Sequence, residues 1–110
     1  MGRKMTLGEF IERMLNGWGF RRPYRVQVMG IILDEIIPEE DRGIEVEVEF
    51  VSSHYGYGPN FHYVYTWNVS GYHLPQGTTG GYSTSVERVF GGKGVNITNT
   101  DTGFQCQYEW

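Results

Sequence analysis

Hydrophobic and polar residues alternate most cleanly between Ile44 and Val51, where the chain reads I-E-V-E-V-E-F-V. Ile44, Val46, Val48 and Phe50 fall on one side, and Glu45, Glu47 and Glu49 on the other. A period of two marks a strand with one dry face and one wet face. Such a strand belongs to an antiparallel sheet covered on one side only.

The rest of the pattern is read around that strand, taken as 44–52. Residues 1–5 are a short basic lead-in, expected to fray. Thr6 followed by Glu9 is a capping box, and Leu7, Phe10, Ile11, Met14 and Leu15 recur at helical spacing. Asn16-Gly17 closes this helix with a left-handed glycine. Trp18, Gly19 and Phe20 form a hinge whose rings fill the seam between helix and sheet. From Tyr24 to Ile37 the alternation of Val26 and Val28 with Arg25 and Gln27 predicts a first strand, bulged at Gly30 or buried on both faces. The loop 38–43 ends at Gly43, where a positive φ is expected. The first strand and 44–52 would pair as a hairpin, bringing Arg25 or Gln27 close to the three glutamates.

A turn covers 53–60. Phe61, Tyr63, Tyr65, Trp67 and Val69 then alternate with polar residues in a third strand with an aromatic face. A glycine-rich loop (70–81) leads to a fourth strand at 82–90, a turn at 91–94, and short strands from Val95 and from Phe104 onward. The expected fold class is α+β: one short N-terminal amphipathic helix on a curved, mostly antiparallel sheet of five or six strands, in a single domain spanning 1–110. A small β-barrel or sandwich with the helix as a plug is the alternative.

Charge adds an asymmetry to this picture. The net charge is −4, but residues 1–25 hold six basic against two acidic side chains, and residues 26–50 hold one basic against eight acidic. An acidic middle suits a basic partner if it forms its own face. Cys106 is the single cysteine, which excludes an internal disulfide and any site built on several thiolates. No run approaches the roughly 20 apolar residues of a membrane span, and no leader pattern is present, so a soluble cytoplasmic protein is expected.

Candidate chemistry is sparse. His54, His62 and His73 lack the spacing of a zinc motif. Cys106 sits between Phe104 and Tyr108 as a small buried hydrophobe, with no local group to activate it. Glu45, Glu47 and Glu49 read as an exposed strand face rather than as an acid–base pair in a cleft. The glycines around Lys93 do not fit a phosphate loop, and no serine lies in a nucleophile frame. Arginines interleaved with Trp18, Phe20 and Tyr24 hint at single-stranded nucleic acid, but the overall acidity argues against it. No cofactor is implied, and an enzyme is not the favoured reading.

The most distinctive feature is aromatic density between Tyr55 and Tyr82. Tyrosine and tryptophan join apolar area to a hydrogen-bonding tip, which suits binding surfaces. The favoured function is a small non-enzymatic protein-interaction domain, such as an adaptor, inhibitor or assembly component. It would bind a protein through Glu45, Glu47 and Glu49 and through loop residues Tyr55, Tyr57 and Tyr72, all expected to be exposed. A second reading places a small-molecule or carbohydrate pocket between helix and sheet, lined by Trp18, Tyr65, Trp67 and His62. Further alternatives are an acidic mimic of nucleic acid, and a homo-oligomer formed through Val64 and Val89.

Overall fold

A computed structural model describes residues 2–21, 24–60, 62–82 and 94–109. It is an α+β fold in two layers: two helices on one face of a six-stranded sheet of order β1-β2-β3-β6-β5-β4. The strands are β1 (Arg3–Thr6), β2 (Glu45–Tyr55), β3 (His62–Ser70), β4 (Gly80–Tyr82), β5 (Val95–Asn99) and β6 (Gly103–Glu109). Each described pairing is antiparallel. The basic lead-in is therefore an ordered edge strand rather than a frayed end. It is held by Met5↔Val46 and Arg3↔Val48.

Helix α1 (Leu7–Leu15) starts at the expected capping box: the Thr6 hydroxyl accepts from the Glu9 N–H, and the Glu9 carboxylate accepts from the Thr6 N–H. Leu7, Phe10, Ile11 and Met14 are buried. Gly17 (φ 84°), Trp18 (φ 53°) and Gly19 (φ 81°) then run consecutively through the left-handed region. The two glycines occupy it freely, but Trp18 does so at a steric cost. That turn reverses the chain and sets the Trp18 ring edge-on to both Phe10 and Trp67. The rings thus join helix and sheet as expected.

The largest correction concerns residues 24–37. They form helix α2 (Tyr24–Ile36), not a strand, and make no hairpin with β2. Arg25 consequently lies nowhere near the glutamates. It is buried on the helix side, and its Nη1 donates to the Glu109 carbonyl. Burial explains the misreading. Val26, Val28, Met29, Gly30, Ile32 and Leu33 are all buried, so the helix has no broad polar face from which a 3.6 period can be read. Gly30 is not a bulge either. A Cβ there would stand 2.7 Å from the Leu15 backbone nitrogen, so the glycine allows the two helices to touch.

Other boundaries shift less. Gly43 lies outside the positive-φ glycines and has open space around its Cβ position. Tyr55 is the last residue of β2 rather than part of a turn. Strand β4 starts at Gly80, two residues before the expected fourth strand at 82–90; the rest of that expected strand, Val89 included, lies outside the described residues.

The core lies between the layers: Phe10, Met14, Val26, Met29 and Leu33 from the helices meet Val46, Val48, Trp67, Val69, Ile97, Phe104 and Cys106 from the sheet. The opposite sheet face is uncovered by any described element. Across it run Lys4 and Glu47, Glu49 and Asn68, Thr66 and Gln107, with Gln107 Nε2 donating to Thr66 Oγ1 at 3.0 Å.

Candidate functional site: the β2–β3 hairpin

Burial fades along the helix-side face of the β2–β3 hairpin. On β2, Val46 and Val48 are buried, whereas Phe50 is 36% exposed. On β3, Val69 and Trp67 are buried, Tyr65 is half-buried and Tyr63 is 39% exposed. The register Val48↔Val69, Phe50↔Trp67 and Ser52↔Tyr65 puts these steps side by side. The helix layer therefore ends near Phe50 and Tyr65, and the hairpin continues past it.

Rings fill the boundary. Phe20 meets Phe50 at 5.8 Å, Tyr65 at 5.5 Å and Trp67 at 6.1 Å between centroids, each edge-to-face. Phe50 and Tyr65 lie 6.0 Å apart with planes 8° from parallel, and Tyr63 follows 6.1 Å beyond Tyr65. Edge-to-face and offset contacts of this kind add about 0.5–1.5 kcal/mol each beyond area burial, so the shelf is a preorganised surface. At the hairpin tip Tyr57 is 92% exposed. The Trp67 indole N–H, at the floor, has no acceptor among the described residues.

The open face of the same hairpin has the opposite character. Glu45, Glu47 and Glu49 are all exposed there. Registers place Lys4, Glu45, Glu47, Glu49 and Glu109 on this face. They are its Lys, Arg, Asp and Glu side chains among the described residues. Carboxylates therefore outnumber the single lysine, with polar Ser, Thr, Asn and Gln between them.

The remaining expected site residues separate. Trp18 meets Trp67, and Phe20 meets both Tyr65 and Trp67, but Trp67 is fully buried and the helix–sheet seam is filled by Phe10, Phe104 and Trp67. His62 pairs with Tyr55 and so lies on the open face, opposite to the rings it was expected to join. The space beside Trp18 is instead an outer groove of about 800 Å³, walled by Arg3, Glu9, Glu12 and Arg13 and floored by Trp18, Val48 and Phe50.

Tyr72 is half-buried rather than exposed. Its hydroxyl donates to Asp41 Oδ2 at 2.6 Å and its ring meets Phe104 edge-on. Burial, followed by the Asp41 bond and charge, pushes its phenol up to about 12. The loop around it is pinned too, since Asn99 holds both the N–H and the carbonyl of Leu74.

The histidines do not converge. His54 sits beside Tyr63 on the ring side of the tip, and His73 Nε2 donates to the Thr100 carbonyl at 2.9 Å. Among the described residues no three His, Cys, Asp or Glu side chains are placed to hold a metal ion. Cys106 is fully buried between strands, and burial alone pushes its thiol far up. No helix of the described residues is long and apolar enough to cross a membrane.

The sequence pattern assigns Phe50 and Tyr63 to strand faces and Phe20 to the helix–sheet seam, not to a protein-binding surface. Their signal was present but incomplete: all belong to aromatic clusters, and only the end of the helix layer distinguishes exposed rings from core. No family model, curated protein or solved structure matches this chain.

Proposed function

We propose that this chain is a non-catalytic protein-interaction domain, with the β2–β3 hairpin as its contact element. The observation that carries this reading is the hairpin's passage beyond the helix layer with two different faces. One presents the exposed carboxylates Glu45, Glu47 and Glu49. The other presents Phe50 and Tyr63, with Tyr57 at the tip. Exposed rings held by their neighbours lose little side-chain entropy on contact and suit a central anchor. A carboxylate row steers and orients a partner with a basic surface. An adaptor, an inhibitor of a basic protein and an assembly component share this chemistry.

The test is capture of partners by immobilised protein, comparing wild type with a Tyr57→Ala/Tyr63→Ala variant and a Glu45→Gln/Glu47→Gln/Glu49→Gln variant. All these side chains are exposed, so both variants should retain the native circular dichroism spectrum. A stoichiometric basic protein bound by wild type and lost or weakened at least tenfold by either variant supports the reading. Equal capture by all three would refute it.

A further inference from the structure

The two edges of β2 are unequal. On one side β3 pairs with it from Glu47↔Ser70 to Tyr55↔His62. On the other, β1 reaches only to Arg3↔Val48, and no described strand flanks the stretch beyond. The Leu7 N–H donates to the Ile44 carbonyl, and the register continues through Met5↔Val46 and Arg3↔Val48. In an antiparallel ladder, outward backbone groups belong to every second residue. The even-numbered residues of β2 therefore face the β1 side, and Phe50 and Ser52 direct their N–H and carbonyl groups out of the sheet edge.

Proteins guard such edges with proline, charge or a bulge, or keep them short. The neighbouring edge strand follows the rule: β1 carries Arg3 and Lys4. Phe50-Val51-Ser52-Ser53 has no charge or proline, and the register with β3 runs through it without a bulge. Phe50 and Val51 are 36% and 38% exposed.

We infer that this stretch pairs with the same stretch of a second copy, antiparallel, around a two-fold axis at Ser52. Outward groups must face outward groups, so the residue numbers of each pair must add to an even total. Of the registers that satisfy this, the one centred on Ser52 uses all of 49–55. A centre at Val51 runs into β1 beyond 49–53, and one at Ser53 runs past Tyr55 to Gly56, whose φ is 84°. In the Ser52 register Ser52 meets itself, Val51 meets Ser53, and Phe50 meets His54. No pair opposes two like-charged carboxylates or two basic side chains. Helix-side residues of the second copy enter beside the groove floored by Trp18 and Phe50. The product is one continuous sheet across two chains, with the helices of both on the same side.

A single strand contact is at the small end of interface sizes, below about 1,200 Å² in total, so the dimer is reversible and concentration-dependent. The inference does not depend on the partner proposed above, because the purified chain alone tests it. Sedimentation equilibrium of wild type across micromolar to millimolar concentrations should show the mass rising from 12.7 kDa towards twice that value. Ser52→Lys, on an exposed side chain, places two like charges at the axis and should hold the protein at monomer mass. Ser52→Glu should do the same. An equimolar mixture of the two variants should dimerise again, as only a register that sets residue 52 against itself predicts. A wild type that stays monomeric throughout, variants that dimerise as wild type does, or a mixture that fails to associate would each overturn the proposal.

Discussion

Alanine in place of Gly30 should destabilise this protein, although the same change in most helices stabilises. Helix propensity favours alanine over glycine by about 1 kcal/mol. Here the added Cβ would stand 2.7 Å from Leu15 N, 3.0 Å from the Met14 carbonyl carbon and 3.1 Å from Leu15 Cα. All three are backbone atoms of α1, so no rotamer change relieves the clash; one helix must move against the other. Overpacking a filled interface costs about 1–3 kcal/mol, and a backbone clash belongs at the upper end. The difference leaves a net loss of about 2 kcal/mol, or a fall in Tm of about 9 °C for a domain of this size. Gly43→Ala is the control. Nothing lies within 4 Å of its Cβ position, and its stability should stay within about 0.5 kcal/mol of wild type. Urea and thermal unfolding of the three proteins measure both. A Gly30→Ala protein more stable than wild type would refute the helix crossing, and with it the placement of α2.

Three further outcomes follow from individual contacts. Thr6→Ala removes the hydroxyl that accepts from the Glu9 N–H and should cost about 1 kcal/mol in urea unfolding. The Tyr72 phenol is pushed up to about 12, by burial first and Asp41 second; raised above its ordinary value near 10, it contributes stability in full below about pH 10 that is lost as pH climbs through about 12. Asp41→Asn should therefore lower its titration towards 10 without reaching it, read as tyrosinate absorbance against a Tyr72→Phe reference. Cys106 is fully buried with its thiol pushed up, so a thiol reagent should label it only at the rate of unfolding, and fast labelling of native protein would contradict its placement.

Strands with one wet face were legible because their two sides differ chemically. Glu45, Glu47 and Glu49 against Val46 and Val48 mark both the strand and its orientation. The capping box at Thr6 and Glu9 marked the start of α1 just as directly. Helix α2 was not legible, because a helix buried on most sides loses the polar stripe that reveals its period. Its Gly30, required by the approach of α1, resembles a bulge glycine until the neighbouring helix is seen. The edge strand β1 was missed because Arg3 and Lys4 look like a charged tail; pairing with β2, not local pattern, makes them a strand.

The candidate site divides similarly. The carboxylate row lies on the open face as its alternation implied. The exposure of Tyr57 fits a tip between strands, whereas Tyr72 is held by Asp41 across 31 positions of chain, a bond no local pattern announces. His62 differs from Tyr63 by one residue, and in a strand that single step moves a side chain to the opposite face. Phe50 belongs to the dry face in pattern, yet it emerges at the surface because the helices end there.

The most direct measurement of the interaction account is hydrogen–deuterium exchange of the chain, free and bound to the basic protein it captures. The account predicts protection concentrated in residues 45–55 and 62–66, with α1 and α2 unchanged. Protection confined to the helix layer, leaving the hairpin as it is in the free protein, would contradict it.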